Sequence, residues 1–345
     1  MTEAQPAPER RRILPRIVAL LVSISVGLFV AELVARAKFG TPLAERLPLG
    51  RIEADPDRGW RMVAGESHYT YHHMVRVNAH GLRGEEIPDA REVGERRILA
   101  LGDSMIYGQG VAEADTLPFA LQEELEQLEP SVRWRVMNGG HRAYATNQEL
   151  ALLRQLGPAL DPDVVVLFWY DNDLADLDVE AASARLEASG PRPFDAAAPL
   201  EGEVLWSWKA KQVLRRSALV MYLYDRWKDG QAPVPDDEYY THGFLRLGRH
   251  LDAFAALGSE RDFTPVVAVV PHAGTVAMDG PATERAERVR TLARERGIAT
   301  LELLPALREL RESTGRLPVI PYDGHYLGIA NRAMARAAAA QLSSL

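Results

Sequence analysis

The stretch "DVVVLFWY", residues 163–170, constrains the fold more than any other part of the chain. From Val164 to Tyr170 it runs without a polar break, closed on either side by Asp163 and Asp171. A strand with one wet face would alternate polar and apolar residues. An unbroken run of this length fits a strand covered on both faces, as in a parallel sheet between two layers of helices. The rest of the chain keeps the same rhythm. "RRILALGD" and "VRWRVMN" read as strands before it, and "TPVVAVVP" and "IATLEL" as strands after it. Helical patterns separate them. "TLPFALQEELEQLEP" is opened by Thr116 and closed at Pro130, and "TNQELALLRQLG" has Thr146 and Glu149 in capping-box spacing. "ATERAERVRTLARERG" forms a further helix, and "DGHYLGIANRAMARAAAAQL" a turn and a closing one. Such alternation predicts an α/β chain: a flavodoxin-like three-layer α/β/α sandwich with a mainly parallel sheet over residues 96–345. Ligands of such a sheet gather at the C-terminal ends of its strands.

Before that domain the chain has a different character. Arg10–Arg12 and Arg16 precede an uncharged apolar run, Ile17–Val30, which Leu33, Val34 and Ala35 extend past Glu32. About 20 residues cross the hydrocarbon of a bilayer, so residues 17–37 read as one transmembrane helix, retained rather than cleaved. Arginines on its N-terminal side place residues 1–16 in the cytoplasm and the rest of the chain outside it, on the periplasmic side. Residues 38–95 are rich in proline, glycine and charge, and read as an extended apron laid against the main domain. His68, His72 and His73 lie there in the polar–aromatic alternation of an ordinary strand, with no carboxylate at ligand spacing. Between residues 175 and 260 a polar stretch gives way to "VLWSWKAKQVLRRSALVMYLYDRW", an amphipathic helical insertion. It reads either as a helix on the sheet or as a lid beside the site.

Composition removes several function classes. A formal net charge of −8 argues against nucleic acid, which needs a basic face. With no cysteine, disulfides and thiolate metal sites are excluded.

The strand ends hold the chemistry. The first closes on Gly102-Asp103-Ser104, the second on Asn138-Gly139-Gly140, the third on Tyr170-Asp171-Asn172-Asp173, and the last turn holds Asp323-Gly324-His325. In a parallel sheet these loops share one edge. Together they supply a serine, a histidine base, a carboxylate to orient it, backbone N–H groups beside glycine and a side-chain amide. Acyl transfer needs that inventory, because a serine hydroxyl must lose its proton to a base and the oxyanion must meet ready donors. Asp103 reads as a brace for the serine turn. His141 and His272 are neighbours of the site rather than its base.

Gly102-Asp103-Ser104 resembles the first block of the SGNH, or GDSL, hydrolase superfamily. Gly140 falls at that family's second-block glycine, Asn172-Asp173 resembles its third block, and Asp323 with His325 resembles its last. The resemblance covers roughly Arg96–Leu345, and "NAHGLRGEEIP" is similar to the lead-in of membrane-anchored bacterial members. It implies Ser104 as nucleophile, His325 as base and Asp323 as its orienting acid. It implies an oxyanion hole from the Ser104 N–H, the Gly140 N–H and the Asn172 amide, with no cofactor and no metal. The chain departs from the family pattern at Tyr170, where glycine is usual, and around Gly139, His141 and Ala143. One residue separates Asp323 from His325 instead of two, a spacing found among polysaccharide O-acetyl esterases and acetyltransferases. The expected function is a membrane-anchored serine esterase acting on an O-acyl group of a glycan or a lipid. An extracytoplasmic polysaccharide O-acyltransferase and a non-catalytic, membrane-tethered envelope assembly factor are the alternatives.

Overall fold

Five short strands form one parallel sheet, and the loops that leave three of them carry Ser104, Gly140 and Asn172. The computed structural model describes residues 13–88, 90–196, 198, 200–231 and 235–345. The basic cluster Arg10–Arg12 therefore lies outside the described residues. The chain begins with α1 (Ile13–Phe39), followed by the lead-in strands β1 (Arg51–Asp55), β2 (Gly59–Met62), β3 (Ser67–Thr70) and β4 (His73–Arg76). The sheet domain opens with β5 (Glu95–Gly102), α2 (Ser104–Tyr107), α3 (Leu117–Leu128), β6 (Arg133–Asn138), α4 (Thr146–Leu160) and β7 (Val164–Trp169). Then come α5 (Val179–Ser189), β8 (Arg192–Pro193), α6 (Gly202–Leu214), α7 (Ala218–Asp229) and α8 (Asp237–Arg261). The chain ends with β9 (Thr264–Val269), α9 (Ala273–Ala277), α10 (Pro281–Arg294), β10 (Ala299–Leu301), α11 (Leu304–Thr314) and α12 (Gly328–Leu342).

The strands lie in the order β6-β5-β7-β9-β10, and every neighbouring pair is parallel. Numbered by sequence within the sheet this is 2-1-3-4-5, the flavodoxin-like order. Its direction reverses between β5 and β7, where Ile98–Gly102 pair with Val164–Phe168. All six residues of β7 are buried, as the unbroken apolar run requires. Alternate side chains enter two cores. Leu99, Leu101, Val165 and Leu167 pack with Leu153 of α4 and Phe254 of α8. Ile98, Ala100, Val166 and Phe168 pack with Leu121 of α3 and Met334 of α12. Full burial of one such side chain stabilises by about 1.5–3 kcal/mol. An exposed ion pair such as Arg332–Glu123 gives about 0–1 kcal/mol, so the two covered faces set the fold.

Two local expectations are corrected. The capping box of Thr146 and Glu149 does not form. Ala145 occupies the N-cap in extended backbone, and its N–H donates to Oε1 of Gln148 at 3.2 Å. Thr146 and Glu149 are instead fully buried. The stretch 204–227 is two helices rather than one, broken at Arg215–Ser217, where the Ser217 hydroxyl caps α7 by accepting from the N–H of Val220. The element of this region that covers the sheet is α8, through Leu247, Leu251, Phe254 and Leu257. Glycines mask it in the sequence. A Cβ on Gly243 would stand 2.4 Å from Leu174, so close packing selects a residue that weakens the helical signal.

The lead-in is antiparallel. β1 pairs with β2 and with β8, and β3 pairs with β4. Directly before it, α1 is long and apolar enough to cross a membrane.

Candidate active site

Ser104 stands where β5 gives way to a single helical turn. Asp103 caps that turn, its Oδ1 accepting from the Met105 N–H at 2.8 Å. Ser104 is therefore the first helical residue, and its N–H has no acceptor within the helix. Its Oγ lies 2.7 Å from Nε2 of His325. The other ring nitrogen, Nδ1, contacts Oδ1 of Asp323, which also accepts the His325 backbone N–H at 3.2 Å. With the ring proton on Nδ1, Nε2 is free to accept from the serine hydroxyl. The one-residue spacing is workable because Gly324 adopts φ +88°, a left-handed turn that brings acid and ring together.

A further group, absent from the sequence motifs, completes this corner. The Tyr71 hydroxyl donates to Oδ2 of Asp323 at 2.5 Å. Tyr71 is 3% exposed and sits at φ +50° in the turn between β3 and β4. The hairpin is pinned to the serine loop by the Gly110 N–H, which donates to Oγ1 of Thr70 at 2.8 Å. Burial pushes the Asp323 pKa up, but the His325 ring and the Tyr71 hydroxyl outweigh it and hold the carboxyl below the usual 3.8. Tyr71 in turn is pushed well above its ordinary value, by burial and then by the Asp323 charge. The only trace in sequence was the alternation "HYTYHHM", which reads equally as a surface strand.

The loop after β6 packs against the back of the serine turn. A Cβ on Gly140 would lie 2.1 Å from the Tyr107 nitrogen and 2.5 Å from the Ile106 carbonyl carbon, so only glycine fits. The flanking N–H groups of Gly139 and His141 donate to the carbonyls of Ala100 and Gly102 at 2.8 and 3.0 Å. The Gly140 N–H itself donates to Oδ1 of Asn138 at 3.0 Å. After β7, Asn172 reaches the same turn, its amide donating to Oδ2 of Asp103 at 3.0 Å. The five residues singled out in sequence thus converge, with the Gly140 and Asn172 donors engaged by neighbouring side chains.

Behind the serine lies a second group of acids. Asp103, Glu149 and Asp173 are all buried. Burial raises the Asp103 pKa, against the pull of the Met105 N–H and the Asn172 amide. Glu149 and Asp173 are raised well above the carboxylate range, by burial and then by neighbouring acid charge. Asp173 Oδ2 accepts the Tyr170 N–H at 2.6 Å, but among the described residues no donor reaches its Oδ1 or either oxygen of Glu149.

The remaining histidines take other places. His141 is fully buried, stacks on Tyr144 at 4.4 Å and has its pKa lowered to about 3, by burial and then by Arg58. His272 caps α9 and stacks on Tyr170. His68 is buried with Nε2 2.7 Å from the Tyr107 hydroxyl, and its pKa falls to about 4, through burial and then Arg83. His72 and His73 are exposed, and among the described residues no cluster of three metal-ligating side chains occurs. A shallow cleft reaches the Tyr71 side of this corner, lined among others by Tyr71, Tyr107, Arg142 and Phe194.

No family model matches the sequence, and no curated protein matches it. Solved structures do. An alpha/beta hydrolase enzyme from the metagenome of Lake Arreo is 12% identical, over 72% of this chain and 95% of its own, with TM-score 0.44. A member of the lipolytic G-D-S-L family from Veillonella parvula is 14% identical, over 72% and 100%, with TM-score 0.42. A catalytic mutant of an acetylxylan esterase from Geobacillus stearothermophilus is 14% identical, over 72% and 94%, with TM-score 0.42.

Proposed function

We propose that this chain is a serine esterase that hydrolyses carboxylic esters through an acyl-serine intermediate. The observation that carries this reading is the relay from Ser104 Oγ to His325 Nε2 at 2.7 Å, with His325 Nδ1 on Asp323. His325 takes the Ser104 proton as Oγ attacks the ester carbonyl carbon. The carbonyl π electrons move onto oxygen, which the Ser104 N–H and the second N–H of the Asn172 amide stabilise. Gly140 would add a third donor by releasing Asn138. As the tetrahedral intermediate collapses, the C–O bond breaks and His325 returns its proton to the departing alkoxide. Water, deprotonated by His325, then attacks the acyl-serine; the acid leaves and Oγ regains a proton. Asp323 stays ionised throughout, steadying the imidazolium that forms twice per turnover.

The substrate we propose is an O-acyl group on an envelope glycan or a lipid, met outside the cytoplasm by a domain that α1 tethers to the membrane. The test is turnover of p-nitrophenyl acyl esters of graded chain length by the full chain in detergent, beside Ser104→Ala. Ester hydrolysis should fall by at least about 10³-fold in the variant. A fluorophosphonate should label Ser104, and His325→Ala should abolish the labelling. Turnover that survives Ser104→Ala overturns the reading.

A further inference from the structure

The helices α6 and α7 carry an apolar face that nothing among the described residues covers. On α7, Val220, Leu223, Tyr224 and Trp227 recur at the spacing of one helix face, and all four are exposed. On α6, Trp206, Val213 and Leu214 are exposed as well. The same segment is basic in an acidic chain. Between Gly202 and Asp229, Lys209, Lys211, Arg215, Arg216, Arg226 and Lys228 stand against three acids, while the whole chain is −8.

What covers this face is indicated by its junction with α1. Residues 13–30 of α1 are exposed throughout, and contact with the rest of the chain begins around Glu32. The Glu32 carboxylate accepts the Ser217 hydroxyl at 2.7 Å, the Leu219 N–H at 2.9 Å and the Ala218 N–H at 3.0 Å. It therefore caps the N-terminus of α7 from the neighbouring helix. Arg36 donates to the carbonyl of Arg216 at 2.6 Å, and Phe39 stacks on Tyr222 at 4.8 Å between ring centres. The corner between α6 and α7 thus meets α1 where its uncharged run ends, which is the level of the bilayer surface if α1 spans a membrane.

We propose that α6 and α7 seat on the bilayer that α1 crosses, with their apolar residues at the boundary of headgroups and acyl chains and their lysines and arginines on anionic phospholipid. This rests on the membrane-anchored reading. Two features favour lipid over another protein. The α6–α7 corner is fastened through Glu32, Arg36 and Phe39 to a helix of membrane-spanning length and apolarity, and the makeup of α7 in tryptophan, tyrosine and basic residues is what the interface selects. The seat would hold the catalytic domain at fixed height and tilt, where a tether at residue 39 alone would leave it free to swing.

The chain has no cysteine, so single cysteines can report on depth without interference. Leu214→Cys and Leu223→Cys replace side chains that are 57% and 58% exposed; Leu28→Cys in α1 and Val93→Cys in the lead-in are the controls. Each full-length variant carries an environment-sensitive fluorophore in vesicles of phosphatidylcholine and phosphatidylglycerol, with lipids brominated at shallow or deep acyl positions. We expect the Leu214 and Leu223 probes to shift blue and be quenched by shallow bromine, Leu28 by deep bromine, and Val93 by neither. Leaving out phosphatidylglycerol should cut quenching at Leu223 at least twofold, and unchanged quenching overturns the role given to the basic residues. Quenching at Leu28 with Leu214 and Leu223 resembling Val93 overturns the seat and leaves the anchor standing. A blue shift without bromine quenching means that a protein surface covers the face, and overturns it too. An unquenched Leu28 overturns anchor and seat together.

Discussion

Two groups of carboxyls flank Ser104, and the molecule treats them in opposite ways. On one side, Asp323 meets the His325 ring, the His325 backbone N–H and the Tyr71 hydroxyl, and its pKa is held down. On the other, Glu149 and Asp173 are buried with three oxygens lacking a donor, and their pKa values are driven up. Both environments withdraw water, so burial alone does not decide the charge. Donors decide it. The fully provided acid is the one placed to steady a positive imidazole, and the starved pair beneath the serine turn is pushed towards its neutral form.

The contrast can be broken most forcefully at Asp323. Asp323→Asn should lower kcat by about 10⁴-fold, since the amide neither carries charge nor accepts in the same way. A near-normal rate in that variant would remove the distinction between the two groups. Asn172 joins the sides, its amide reaching Asp103 beside the starved pair while it borders the space above Ser104. Asn172→Ala should cost about 10²–10³-fold in kcat with KM little changed; a loss confined to KM would assign it to substrate binding alone.

Tyr71→Phe should cost about 10-fold in kcat, as the loss of one donor to a charged acceptor. Its stability has a definite sign. Asp323 is depressed in the folded state, so its contribution is present above the ordinary carboxylate value and is lost as pH falls through the folded value. The variant should therefore melt below the wild type at pH 7, and the gap should close in acid below pH 3.8, the usual aspartate value. A gap independent of pH would reduce Tyr71 to a packing residue.

Glu149→Gln should be the gentlest. Activity should stay within about threefold, while melting temperature at pH 8 rises on the order of 5 °C. Here the sign is reversed. The folded state keeps a proton that the unfolded chain releases, so wild-type stability falls as pH rises from the ordinary glutamate value of 4.5 towards the raised one. The benefit of the amide should accordingly vanish below pH 4.5, and melting curves across pH 4–8 check it.

The parts of this picture that were legible in sequence are those written locally. The unbroken run at Val164–Tyr170 and its neighbours announces strands, and Ser104, Gly140 and Asn172 each follow one directly, so a parallel sheet is enough to bring those three to one edge; Asp323 and His325 reach it from the turn before α12. What stayed hidden depends on distant partners. Tyr71 and Asp323 are 252 positions apart, and the tyrosine lies in a hairpin whose register no local pattern fixes. Glu149 read as a helix cap because its spacing allows one; only the packing of α4 shows it turned into the core. Likewise Glu32 reads in sequence only as an interruption of the apolar run, and its role as the cap of α7 needs a contact across 185 positions.

The placement of Tyr71 has a consequence for how this protein could be cut or recombined. A fragment beginning at Glu95 would contain the complete five-stranded sheet and the proposed nucleophile, base and acid. It would nonetheless lack the hydroxyl that holds the acid and the hairpin that walls off that corner. On the proposed mechanism, the support for catalysis then extends beyond the residues of the sheet. Any exchange of sheet domains between proteins of this architecture must carry the hairpin along, or deliver a triad whose third member has lost a support.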